Sequence, residues 1–272
     1  MSPDAGPSRH PCARATLVRA NNPSAMTLDG TNSWVLVEPG GRSATVVDPG
    51  PADSQHSQAI LAAARDAGAA GVGLVVLTHG HPDHAEGAAG FARFAGAPVR
   101  AADPALCLGG PPLAGGESLE SGGPRLDVVA TPGHTGDSVC FVLADDRMLL
   151  TGDTVLGRGS TVVAHPDGRL GDYLESLRLL RSLIETRQLA GVLPGHGPVR
   201  ADPAALLDGY LAHREQRLDE VRAAIAAGAN DVDSVARLVY ADVDPGLRHA
   251  ARWSLLAQLD YLRENGESVP AG

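Results

Sequence analysis

The chain has 272 residues, a formal net charge of −10 and no lysine, so all 22 of its basic residues are arginine. That length buries a full core and fits one large domain or a domain with an appendage. The acidic balance disfavours a broad electrostatic grip on nucleic acid, which relies on clustered basic side chains neutralising phosphates.

The first twenty residues carry Pro3, Asp4, Pro7, His10 and Pro11 and no continuous apolar run, so no secretory signal is expected. No apolar run reaches the roughly 20 residues that span a bilayer. Strands are expected at Trp34 to Val37, Ala44 to Val47 and Val72 to Leu77, with a helix near Gln58 to Ala67 between the last two. A helix over Ala85 to Phe94 follows, then strands at Val99 to Ala101, Leu126 to Ala130, Val139 to Leu143 and Met148 to Leu150. Asp172 opens a helix with a capping-box spacing to Glu175 and apolar positions Leu174, Leu177, Leu180 and Ile184 at helical period. Cys12, Cys107 and Cys140 stand at irregular spacing, which offers neither a disulfide framework nor a thiolate site and fits a reducing, cytoplasmic setting.

A boundary is expected near Arg200, dividing the chain into domains 1–200 and 201–272. Asp202-Pro203 reads as an N-cap and first-turn pair for a long helix that ends near Gly228. Helices over Ser234 to Tyr240 and about Leu247 to Asn265 complete an all-helical tail. From Ala201 onward seven Arg face eight Asp and four Glu, so duplex DNA is disfavoured as a partner.

The chemistry concentrates in Thr78-His79-Gly80-His81-Pro82-Asp83-His84, three imidazoles and a carboxylate directly after an apolar run. A buried strand ending in a loop holds such side chains on a rigid base, and imidazole with carboxylate oxygen suits zinc, iron or manganese. A polar surface loop would give the same composition. Three further segments weigh against it, each placing a potential ligand at the end of an expected strand: Thr131-Pro132-Gly133-His134, Thr151-Gly152-Asp153-Thr154 and Pro194-Gly195-His196-Gly197.

This order of motifs resembles the metallo-β-lactamase superfamily, whose pattern is HxHxDH followed by a distant His, a bridging Asp and a last His. The resemblance runs from about Asn22 to Pro198 and includes Leu28-Asp29-Gly30-Thr31-Asn32 and Val47-Asp48-Pro49-Gly50. It implies an α/β fold, a four-layer αββα sandwich, with two divalent metal ions. Zn2+ is expected, and Mn2+ or Fe would also suit the donors. One ion would be held by His79, His81 and His134, the other by Asp83, His84 and His196, with Asp153 bridging. The tail is similar to the winged-helix-like C-terminal module of the lactamase-β-like protein 2 group, including Tyr210-Leu211-Ala212-His213-Arg214-Glu215.

Two divalent ions can lower the pKa of a shared water and polarise a substrate oxygen, which predicts hydrolysis without a protein nucleophile. Asp83 would orient that water and accept its proton. The substrate reads as a small-molecule ester, thioester or lactone, or a phosphodiester. Single-stranded RNA is the specific alternative, since the lactamase-β-like protein 2 group includes an endoribonuclease. Asp153 where many zinc β-lactamases carry Cys argues against antibiotic hydrolysis, and the acidic tail lacks the basic residues with which glyoxalase II proteins bind glutathione. Thr31, Asn32, Arg158, Thr161 and His165 are the candidate substrate contacts, on the rule that loops over a rigid scaffold carry them. A non-hydrolytic redox or regulatory metal protein is the reading from another class.

Overall fold

The computed structural model describes residues 10–120 and 122–270. Two five-stranded mixed sheets face each other. The first runs β1 (Ala15–Arg19), β2 (Asn32–Val37), β3 (Ser43–Val47), β4 (Gly71–Val76) and β5 (Val99–Arg100) in chain order across the sheet. The second places β10 (Gly191–Pro194) beside β9 (Met148–Gly152), then β8 (Val139–Leu143), β7 (Leu126–Ala130) and β6 (Ser118–Leu119).

The strands are apolar on both faces because both faces are covered. Along β2, Trp34 and Leu36 point into the cluster between the sheets, whereas Val35 and Val37 pack outward. Along β8, Phe141 and Leu143 point between the sheets, whereas Cys140 and Val142 pack on the opposite side. This two-residue alternation divides one continuous apolar run between two cores. Helices α1 (Ser54–Asp66) and α3 (Ala88–Ala95) cover the outer face of the first sheet through Ile60, Ala64, Phe91 and Ala92. Helix α4 (Leu170–Thr186) covers the second through Tyr173, Leu177 and Leu180. The layers are therefore helix, sheet, sheet, helix.

The C-terminal part is helical: α5 (Pro203–Ala226), α6 (Val232–Val239) and α7 (Arg248–Glu264). Leu207, Tyr210, Leu218, Val221, Leu255 and Leu259 share a single apolar cluster with α4 and with Cys140, Val142 and Val192 of the second sheet. Among the described residues no strand follows β10, so this part is helical and shows no wing.

Two local expectations are corrected and a third is refined. Helix α4 starts at Leu170 with Arg169 at its N-cap and no side-chain cap, so the Asp172 and Glu175 pair lies inside the helix. The Arg169 amide donates to Gly133 O at 3.0 Å, and Leu170 is drawn into the core, so tertiary packing sets this start. The single helix over 85–94 is two, α2 (Pro82–Ala85) and α3, parted where the Gly87 amide donates to Gly50 O. Asp202 and Pro203 stand at the N-cap and first turn of α5 as expected, but the Asp202 side chain caps no helix amide; its carboxylate instead takes two hydrogen bonds from the Arg200 guanidinium.

Candidate metal centre

Every candidate ligand leaves the carboxyl end of a strand. Parallel pairing of β3 with β4 sets Asp48 beside Thr78, and parallel pairing of β9 with β10 sets Asp153 beside His196. The Asn32 amide donates to Gly195 O at 2.7 Å and Val139 N donates to Thr78 O at 2.8 Å, which draws the strand ends of the two sheets together around one point. Proline at the first position of α2 starts that short helix immediately after His81 and turns Asp83 and His84 inward.

Seven side chains converge there. His81 Nδ1 lies 3.0 Å from His79 Nε2 and 3.1 Å from His134 Nε2. Asp83 Oδ2 lies 3.3 Å from His84 Nε2 and 3.2 Å from His196 Nε2, and these two nitrogens are 3.2 Å apart. Asp153 stands between the groups, Oδ1 3.4 Å from His84 Nε2, and Oδ2 3.3 Å from His196 Nε2 and 3.9 Å from His134 Nε2. Donor atoms of His79, His81 and His134, and separately of Asp83, His84 and His196, fall within 4.8 Å of one another.

The outward ring nitrogens explain why lone pairs face inward. His134 Nδ1 donates to Val162 O at 2.7 Å, His84 Nδ1 to Asp48 Oδ2 at 2.9 Å and His196 Nδ1 to Gly30 O at 3.2 Å. Thr78 Oγ1 spends its proton on Asp48 Oδ2 at 2.7 Å, so it accepts from His79 Nδ1 at 3.0 Å. With Nδ1 protonated, each neutral ring presents an unprotonated Nε2 to the centre. His81 Nδ1 carries at most one proton and cannot bond both neighbours, and Asp153 Oδ1 is buried with no hydrogen-bond partner. A donor set of imidazole nitrogens and carboxylate oxygens at this spacing fits two divalent cations.

The charge balance without metal points the same way. Burial pulls His79 well below the ordinary imidazole range and His134 down to about 4. Burial acts on His84 as well, but the Asp153 and Asp48 carboxylates outweigh it and hold that ring well above its usual value. His196, with Asp153 and Asp83 overcoming its burial, is raised to about 9. Burial would raise both carboxyls, yet the His84 and His196 charges hold Asp153 well below the carboxylate range, and the His196 hydrogen bond with the His84 charge brings Asp83 to about 2. Two imidazolium protons thus neutralise the carboxylates where cations would.

Two glycines make room. A Cβ on Gly195 would lie 2.5 Å from Asp153 Oδ1 and 2.8 Å from His84 Cε1. Gly133, at φ +134°, lets the His134 loop reach the backbone of Tyr173, which a Cβ would meet at 2.3 Å.

The expected substrate contacts divide. Thr31 is fully buried and donates through Oγ1 to Asp83 Oδ2 at 2.9 Å, so it orients that carboxylate. Buried Asn32 donates to Pro194 O and Gly197 O, tying β2 to the loop that carries His196. Thr161 is buried with Oγ1 3.3 Å from His134 Nδ1. Arg158 forms a bidentate ion pair with Asp29, and His165 pairs with Asp260 of α7 at 3.0 Å. The sequence brings Asp48 in only as part of the Val47-Asp48-Pro49-Gly50 segment and gives it no role, although it accepts from Thr78 N, Thr78 Oγ1 and His84 Nδ1. A lone carboxylate at a strand end has no spacing that reveals a partner 36 residues on.

A cleft of about 570 Å³ opens beside His81, lined by Gly80, Ala102, Asp103, Thr135, Gly136, Asp137 and Asp167. Among the described residues no arginine lines it. Burial, with the charges of Asp167 and Asp103 adding to it, raises the Asp137 carboxyl above its ordinary value although the Thr135 hydroxyl donates to it.

Comparison with known proteins agrees with this geometry. A "Beta-lactamase-like protein 2 homolog" of Drosophila melanogaster is 29% identical over 90% of this chain and 86% of its own length. A protein named "Thioesterase pkgB" in Emericella nidulans is 30% identical over 76% of this chain, which spans only 58% of that protein's length. A metallo-beta-lactamase family protein of Thermus thermophilus, 24% identical, superposes with a TM-score of 0.75 over 93% of this chain and 94% of its own, which shows the shared fold. Residues 26–196 match the Metallo-beta-lactamase superfamily, the span that holds all seven converging side chains, and the chain belongs to that superfamily.

Proposed function

We propose that the protein is a binuclear metal-dependent hydrolase that cleaves a neutral or weakly charged acyl ester, thioester or lactone. The carrying observation is the convergence of His79, His81 and His134, and of Asp83, His84 and His196, on either side of Asp153. Divalent ions bound there would supply an activated water and polarise the carbonyl oxygen of the substrate. Asp83, ionised at neutral pH and turned by the Thr31 hydroxyl, orients that water and takes its proton at a carboxylate oxygen. Asp48 holds the His84 ring through its outward nitrogen and keeps Nε2 aimed inward.

The cleft beside His81 supports the acyl reading over single-stranded RNA. Three carboxylates and, among the described residues, no arginine make the lining repel a polyanion, and the His81 ring is its one described aromatic group. The name of the Emericella nidulans relative points the same way.

The test is a turnover screen of zinc-, manganese- and iron-loaded protein beside Asp153→Ala. Acyl thioesters, lactones, a β-lactam and single-stranded RNA are offered under identical conditions. Thioester or lactone turnover that falls at least a hundredfold in the variant is expected, about the upper end of the loss caused by removing even an outer partner of a ligand. RNA cleavage that disappears with Asp153 would replace the acyl assignment. Turnover unchanged in the variant would remove the metal centre from catalysis altogether.

A further inference from the structure

Helix α5 buries leucine, tyrosine and valine along one stripe, and in the middle of it stands Arg214, 4% exposed. It follows Tyr210 and precedes Leu218 at four-residue spacing, where an apolar side chain would complete the face. Among the described residues Arg214 pairs with no carboxylate. One of its nitrogens donates to Thr161 O at 2.6 Å, its guanidinium carbon lies 5.0 Å from the Tyr173 ring centroid, and its Nε is buried without a partner. Burying a guanidinium with no counterion is costly, so its retention there calls for a reason beyond packing.

The reason lies one contact further on. Residues 161–164 form no regular structure, yet two groups of this segment meet the outward nitrogen of His134, Val162 O at 2.7 Å and Thr161 Oγ1 at 3.3 Å. Arg214 grips this segment from helix α5 through the Thr161 carbonyl. The same face of α5 presents Tyr210, whose hydroxyl accepts from Leu156 N at 2.9 Å, and the Tyr173 hydroxyl beneath Arg214 donates to Thr154 O at 2.7 Å. Both loops behind His134 and Asp153 are therefore braced by the second helical layer.

We propose that Arg214 is a positioning residue for His134: by holding the Thr161 carbonyl it fixes Val162 O where that oxygen accepts a hydrogen bond from His134 Nδ1–H, which leaves Nε2 unprotonated for the metal held with His79 and His81. This rests on the metal-site reading. An irregular segment has no ladder of its own to hold a carbonyl in place, whereas a planar guanidinium wedged between a buried ring and that carbonyl has little freedom to move.

The experiment uses the full chain with Arg214→Met, which keeps the bulk and removes the donor, and Arg214→Lys, which restores a donor. Imidazole nitrogen NMR of the metal-free proteins reads the His134 tautomer, and titration with zinc against a chromophoric chelator reads the affinity of each cluster. The parent is expected to hold His134 as the Nδ1–H tautomer. The Met variant should show a tautomer mixture and weaken the His79, His81 and His134 cluster by about tenfold to a hundredfold, with the other cluster within about twofold. The Lys variant should recover part of both. A parent-like tautomer and affinity in the Met variant would overturn the proposal, as would equal weakening of both clusters in step with a lower urea midpoint. Should the Met variant not fold, the Lys variant decides, because a donor on a flexible stem predicts a smaller loss confined to the same cluster. A parent that binds no zinc ends the metal reading, while the tautomer comparison still tests Arg214.

Discussion

His84 Nδ1 lies 2.9 Å from Asp48 Oδ2, so a carboxylate at the end of β3 holds an imidazole that belongs to α2. The same carboxylate takes the amide and the hydroxyl of Thr78, and so the entrance to the HxHxDH segment and its last member hang from one residue. Asp48 itself has φ +51°, a left-handed backbone that a non-glycine residue seldom adopts and that active-site surroundings often maintain.

Asp48→Ala should therefore weaken both fold and metal. Removing the carboxylate strands three buried donors, and the metal-free protein is expected to lose about 3–5 kcal/mol by urea unfolding, the scale for breaking a buried charged contact. Metal affinity should fall about tenfold to a hundredfold. A variant with parent-like unfolding would show that Asp48 is not holding the segment.

Gly195→Ala tests how tightly the centre is packed. The added methyl meets Asp153 Oδ1 and the His84 ring, so about 1–3 kcal/mol of destabilisation is expected. Bound metal per chain should drop, because the two side chains displaced belong to both groups of donors. Metal analysis after dialysis reads this directly. Full loading of the variant would contradict the geometry.

The imidazolium balance predicts a pH dependence with a definite sign. His196 is raised from an ordinary value near 6.5 to about 9 in the metal-free protein. A raised folded pKa contributes stability that is complete below about 6.5 and is lost as the pH climbs through about 9. The urea midpoint of metal-free protein should fall across that window, and the fall should shrink in His196→Ala. Metal uptake near neutral pH should release protons, so affinity rises with pH toward 9. Calorimetry in buffers of different ionisation enthalpy measures the proton count.

The acidic cleft predicts a preference for substrate charge. Replacing Asp137 and Asp167 together by Asn should raise kcat/KM for an anionic thioester relative to a neutral one by about three- to tenfold at low salt, with the gain shrinking as salt is added. An unchanged ratio would show that substrates do not pass along that cleft.

Much of this was legible from residue order alone. The ligand-bearing segments follow apolar runs that are strands, and alternation of two-sided burial is what continuous runs such as Val139 to Leu143 encode. Strand β1 went unread because its five residues, Ala15–Arg19, carry no alternation distinguishable from the surrounding coil and gain their pattern only by pairing with β2. The start of α4 escaped for the opposite reason: Asp172 and Glu175 satisfy a local rule, and the contact of Arg169 with Gly133 overrides it. Asp48, Thr78 and Arg214 act through contacts 30 to 53 residues away, which a sequence motif does not register.

The apolar cluster that joins α5, α6 and α7 to α4 and the second sheet bears on how such a chain can be recombined. A tail grafted from another protein would have to match the apolar cluster that Tyr173, Leu177 and Leu180 share with Leu207, Tyr210 and Leu218, and would have to bring its own arginine for the Thr161 carbonyl. Successful chimeras should then be those that exchange everything from Leu170 onward as one block, with the crossover placed in the irregular stretch ahead of that helix.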